Sequence, residues 1–142
     1  MRESTLWKWI EANRPAWLAI ERFEPRHPPG MADCFWTDRR SHISGWLELK
    51  QCSAGDREYK VGRIPKLGTE QPMFLRRQAE NGAPSGLLLR IEDVGFLLWV
   101  SDGTREWPNM MRSTEAIGSQ TVAFGLNGER VTLEEIMTYL LP

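Results

Sequence analysis

Three carboxylates and one lysine carry the chemistry open to this chain: Glu3, Asp33, Glu48 and Lys50, the last two within the run Glu48-Leu49-Lys50. Strand side chains alternate with period two, so Glu48 and Lys50 share one face while Leu49 turns to the other and can enter a core. Between Asp33 and Glu48 lie 14 residues, room for two strands and a turn, and a hairpin over this stretch can bring the two acids side by side. Neighbouring carboxylates repel and are costly without a cation. A hard divalent ion removes that repulsion, taking carboxylate oxygens, the Leu49 carbonyl and water. Lys50 beside it can orient an attacking water or stabilise charge on a phosphate oxygen, the chemistry of phosphodiester hydrolysis. On spacing alone, a solvated edge-strand face is the commoner account of Glu48 and Lys50. The chain contains its own control, because Glu58-Tyr59-Lys60 repeats the pattern in a polar stretch after Gly55, without the apolar flank that Trp46-Leu47 supplies before Glu48.

The elements that must position these residues follow from periodicity. Leu6, Trp7 and Ile10 predict a helix over Glu3–Asn13, stopped by Pro15, with Glu3 in its first turn. Trp17–Glu24 alternates and predicts a strand, Met31–Thr37 a second, and Ile43–Lys50 a third, the last two joined by the polar turn Asp38–Ser41. Gln51–Leu67 is charged and poor in apolar residues, a long loop of the kind that usually has a function. Thr69 is a good N-cap for a helix through Asn81, with Gly82 just beyond its end. Leu87–Ile91 and Phe96–Val100 predict two strands around Gly95; Ser101–Gln120 shows no period, and a strand near Val122 precedes the capping box Thr132-Leu133-Glu134-Glu135 of a last short helix to Leu141. This order predicts an α/β fold with a central mixed sheet flanked by helices.

Length and charge narrow the function classes. At 142 residues the chain is expected to form one domain. No run approaches the roughly 20 apolar residues of a membrane span, and the start, Met1-Arg2-Glu3-Ser4-Thr5, does not read as a secretory signal, so a cytoplasmic location without membrane contact is expected. Cys34 and Cys52 are too few for a disulfide framework and are expected to be reduced. The net charge is −1, but residues 1–90 hold 15 Lys and Arg against 11 Asp and Glu, and residues 91–142 hold 3 against 8. Basic residues are densest where Arg57, Lys60, Arg63, Lys66, Arg76 and Arg77 face only Glu58 and Glu70. A solvated loop and a DNA-backbone contact surface account for that run equally well in isolation; beside a cation-binding carboxylate pair the contact reading gains. His27 and His42 read as loop residues, with no zinc-site spacing. No glycine-rich phosphate loop is present, so no nucleotide cofactor is expected. Of the seven Trp, an exposed Trp36 or Trp107 is a candidate for stacking on an unpaired base.

The run Pro29-Gly30-Met31-Ala32-Asp33, followed at a hairpin's distance by Gly45-Trp46-Leu47-Glu48-Leu49-Lys50-Gln51, resembles the core of the PD-(D/E)XK nucleases, in particular the VRR-NUC and phage Holliday-junction-resolvase-like branch. Glu3-Ser4 with Leu6-Trp7 resembles that family's first-helix motif. Leu67-Gly68-Thr69-Glu70-Gln71-Pro72-Met73-Phe74-Leu75 with Asn81-Gly82 resembles its glutamine-bearing helix. The resemblance covers residues 3–100, and residues 101–142 read as a C-terminal extension of the same domain. It departs at Ala32, where the family often has Pro, and in the long charged loop Ser53–Lys66, which leaves substrate choice open.

The resemblance implies a restriction-endonuclease-like core and a Mg²⁺- or Mn²⁺-dependent endodeoxyribonuclease. It implies Asp33, Glu48, the Leu49 carbonyl and Glu3 as metal ligands, Lys50 as the group positioning water, and Gln71 as a supporting polar residue. By the same resemblance the partner is DNA, possible substrates include branched or junction DNA, the protein acts as a homodimer, and a phage-encoded protein would work in the bacterial host cytosol. A catalytically inactive nuclease-fold protein that binds DNA or serves in assembly is the alternative, and a structural domain without a nucleic-acid partner is a third.

Overall fold

Apolar spacing builds the helices, and alternation builds the sheet they cover. A computed structural model describes residues 3–23, 31–52, 70–92, 95–101, 121–124 and 130–142. Its elements are α1 (Glu3–Asn13), β1 (Leu18–Arg22), β2 (Cys34–Asp38), β3 (Ile43–Cys52), α2 (Glu70–Glu80), β4 (Ser85–Ile91), β5 (Gly95–Ser101), β6 (Thr121–Phe124) and α3 (Leu133–Leu140). The six strands form one sheet in chain order. β3 and β4 pair in parallel, with α2 in the connection between them, and every other neighbouring pair is antiparallel. The central mixed sheet flanked by helices is therefore as predicted.

Parity along β3 separates the two layers. Leu47 and Leu49 join Cys34, Trp36, Leu18, Ile20, Leu88 and Leu98 in a core sealed by Leu6 and Ile10 of α1 and by Leu133, Ile136, Met137 and Leu140 of α3. Trp46 points the other way, where its ring meets Phe35 at 4.9 Å and Phe74 of α2 edge-on at 5.1 Å. β4 is buried along most of its length on both faces, which is why Gly86-Leu87-Leu88-Leu89 reads as a continuous run.

Several boundaries carry their causes with them. The end of α2 is a Schellman motif: Gly82 takes φ +90°, its N–H donates to the Ala79 carbonyl at 3.0 Å, and the Ala83 N–H donates to Gln78 at 2.9 Å. Thr132 caps α3 as predicted by accepting from the Glu135 N–H at 3.2 Å, while the Glu135 carboxylate accepts from the Thr132 hydroxyl in place of the main-chain N–H of a full capping box. The turn after β2 closes with the His42 N–H on the Asp38 carbonyl at 2.8 Å, and His42 there adopts φ 63°.

Other boundaries differ from expectation. β1 is shorter than Trp17–Glu24, β2 starts at Cys34 and runs one residue past Thr37, and β3 continues through Gln51 to Cys52, taking the start of the expected loop into the sheet. Trp36 is 0% exposed, because the parity that buries Cys34 buries it too, so its expected role in stacking on a base is withdrawn. Trp107, His27, the Thr69 cap and most of 101–120 lie outside the described residues. Among the described residues, Cys34 is a buried thiol in no disulfide, and no helix is long and apolar enough to cross a membrane.

Candidate metal centre

β3 is an inner strand with neighbours on both sides, and the solvated edge-strand account of Glu48 and Lys50 fails for that reason. Glu48 is 0% exposed, Lys50 2% and Asp33 5%. Toward β4 the register sets Glu48 beside Leu87 and Lys50 beside Leu89, a wall with no polar side chain. Toward β2 the ladder's last pair is Cys34 with Leu47, and one step further along the same register lie Asp33 and Glu48. Asp33 is tied to both neighbouring strands. Its carbonyl accepts from the Phe23 N–H at 2.9 Å, extending the β1–β2 ladder by one position. Its carboxylate Oδ2 accepts from the Leu49 N–H at 2.8 Å in a buried bond.

Two acids at adjacent positions, with a lysine on the same face of one strand, thus sit where water is scarce and an apolar wall lowers the local dielectric. Burial of this kind makes uncompensated like charge expensive and an opposite charge strongly attracted. The donor set fits a small hard cation: carboxylate oxygens from two strands and a backbone carbonyl at Leu49 between them. Among the described residues no group of three His, Cys, Asp or Glu converges, so the described set is two acids and a lysine.

The other expected site residues are distributed as follows. Glu3 begins α1, on the layer that covers Leu47 and Leu49, opposite to the face of Glu48 and Lys50. Gln71 lies in the first turn of α2, one turn before Phe74, on the layer of Glu48 and Lys50. Arg76 and Arg77 are exposed on α2, and Arg76 Nε donates to Glu80 at 3.2 Å, an exposed pair of little energetic weight. Arg57, Lys60, Arg63 and Lys66 lie outside the described residues.

One feature of the site escapes sequence reasoning: the Leu49 N–H, since a main-chain amide has no letter of its own. Gln51, 6% exposed and in register with Arg90, lies by the alternation of β3 on the layer of Leu47 and Leu49, away from the site.

No protein-family model matches this chain, and no curated protein matches it. Among solved structures, the chain is similar to Hjc of Archaeoglobus fulgidus, a Holliday junction resolvase from an archaeal hyperthermophile, with a TM-score of 0.49 and 13% identity over 80% of this chain and 85% of that one.

Proposed function

We propose that the protein is a Mg²⁺- or Mn²⁺-dependent endodeoxyribonuclease that hydrolyses phosphodiester bonds, with branched or junction DNA as its substrate. The observation that carries this reading is the register of β2 against β3, which brings Asp33 and Glu48 to adjacent positions with Lys50 on the same face as Glu48, all three buried. Asp33, Glu48 and the Leu49 carbonyl would hold the cation; Glu3, at the start of the helix on the other layer, is left out of the set. The bound ion supplies Lewis acidity and charge neutralisation at the scissile phosphate. The chain's own residues do the rest. Lys50 orients the attacking water with its ammonium and stabilises negative charge developing on a phosphate oxygen. Leu87 and Leu89 exclude bulk water from the side of β4, which strengthens both effects. Gln71 supports the site from α2. Arg57, Lys60, Arg63, Lys66, Arg76 and Arg77 hold the DNA backbone, and two copies acting together would allow paired cuts across a junction.

The test is nicking of supercoiled plasmid and of a four-way junction, with and without Mg²⁺ or Mn²⁺, by the wild type, Asp33→Asn and Lys50→Ala. Cation-dependent cleavage by the wild type and its loss in both variants is the expected result. Retained DNA binding without cleavage in either metal would overturn it and leave a non-catalytic DNA-binding protein of the same fold.

A further inference from the structure

The last paired position of the β2–β3 ladder is Cys34 with Leu47, yet β3 continues for five residues beyond Leu47. The N–H groups that β3 turns toward β2 beyond that point need acceptors, because a buried amide left without one is strongly disfavoured. The Leu49 N–H finds its acceptor in a side chain, the Asp33 carboxylate, at 2.8 Å. Asp33 therefore closes the gap left where β2 ends, and it does so with a group that the proposed function assigns to a cation.

We propose that the main-chain N–H of Leu49 is a positioning group of the cation site: by holding Asp33 Oδ2 it sets that carboxylate in one orientation beside Glu48 before an ion arrives. This rests on the nuclease reading above and deepens it. The Phe23 N–H holds the Asp33 carbonyl from the other side at 2.9 Å, so main chain and side chain of the residue are anchored on different strands. The orientational freedom of the Asp33 side chain is thus lost on folding, not on binding. The chemical class of ion favoured is one content with few protein oxygens and several waters.

Two experiments test the proposal, neither of which reads turnover. The first compares Asp33→Asn with Asp33→Ala by thermal melting without added metal. Both remove the charge equally, but only asparagine keeps an oxygen for the Leu49 N–H. Asp33→Asn is expected to melt several degrees above Asp33→Ala, and coincident melting curves would overturn the latch. The second replaces the Leu49 amide with an ester by incorporating the α-hydroxy analogue of leucine at position 49, which deletes the N–H and leaves the Leu49 carbonyl an ordinary amide carbonyl. Mn²⁺ binding, measured by calorimetry or by the spin-resonance signal of unbound Mn²⁺, is expected to weaken about tenfold, the scale on which outer hydrogen bonds tune metal affinity. Unchanged Mn²⁺ affinity in the ester, whatever its melting temperature, would show a purely structural bond and overturn the proposal. A wild type that binds no Mn²⁺ overturns the metal-dependent reading itself, and the positioning role with it. A wild type that binds Mn²⁺ while the ester binds it equally well overturns the positioning role alone.

Discussion

Lys50 is a buried lysine on the face of a buried glutamate, one strand from a buried aspartate. Its ammonium has a chemical task only if phosphate and water reach that face, so its removal should strike turnover far more than affinity. Lys50→Met is expected to lower single-turnover cleavage about 10²- to 10³-fold, the range for losing one group that stabilises developing charge, with junction binding changed by no more than a few-fold. Rapid-quench kinetics alongside gel-shift titration separate the two. Asp38, at the other end of β2, concerns stability. The Arg40 guanidinium hydrogen-bonds its carboxylate with Nε at 3.1 Å and Nη2 at 3.3 Å. Against the upward push of burial, that side-chain bond, helped by the Arg40 main-chain amide, holds the carboxyl down to about 2 from 3.8. A carboxyl depressed in the folded state stabilises the protein above its ordinary pKa and loses that contribution as pH falls through the folded value. The stabilities of wild type and Asp38→Asn, read from urea unfolding between pH 2 and 6, should therefore draw apart across the interval from about 2 to about 4, with the wild type gaining as pH rises. Parallel curves would contradict the assignment.

Among the elements, β3 bears the most constraint. It pairs in parallel with β4 and antiparallel with β2, and from Leu47 to Gln51 it is buried on both faces. Gly45 marks its tightest point. A Cβ there would run into the Pro84 carbonyl and approach Trp36 Cζ2 to 2.6 Å, and the Pro84 carbonyl cannot retreat easily because it accepts from the Trp46 N–H at 3.2 Å. Gly45→Ala is expected to cost about 1–3 kcal/mol, the usual range for overpacking, seen as a lower urea midpoint at unchanged slope. An unaltered midpoint would mean that the Pro84 turn is softer than its packing implies. The same variant should lower activity only in proportion to the folded fraction, because Gly45 lies three residues before Glu48 and turns into the opposite layer, against Trp36. The Trp46 ring, packed against Phe35 and Phe74, is the link through which α2 is seated over the face of Glu48 and Lys50.

On the scale of the whole molecule, a net charge of −1 would not by itself hold a polyanion, and under the proposed function the asymmetry between the two parts of the chain would have to do so. DNA binding should be strongly salt-dependent, and neutralising Arg76 and Arg77 together should flatten the slope of log affinity against log salt by about 0.9 for each phosphate the two arginines neutralise, with equal effect on unrelated sequences. A slope that stays put would move the DNA path away from α2. Much of this architecture was legible in advance. The helix over Glu3–Asn13, the hairpin of β2 and β3, the Gly82 stop and the Thr132 cap are local, written in side-chain periodicity and in residues whose own bonds end an element. Less legible were the limits of the strands, the burial of Trp36 and Gln51, and the rank of β3 within the sheet. Alternation says which residues share a face but not whether another strand or helix will cover it. The letters alone specified that Glu48 and Lys50 point one way and Leu49 the other. Whether that way leads to water or to a closed layer beside Asp33 depended on which strands flank β3, and strand pairing joins distant parts of the chain, invisible until the sheet has formed.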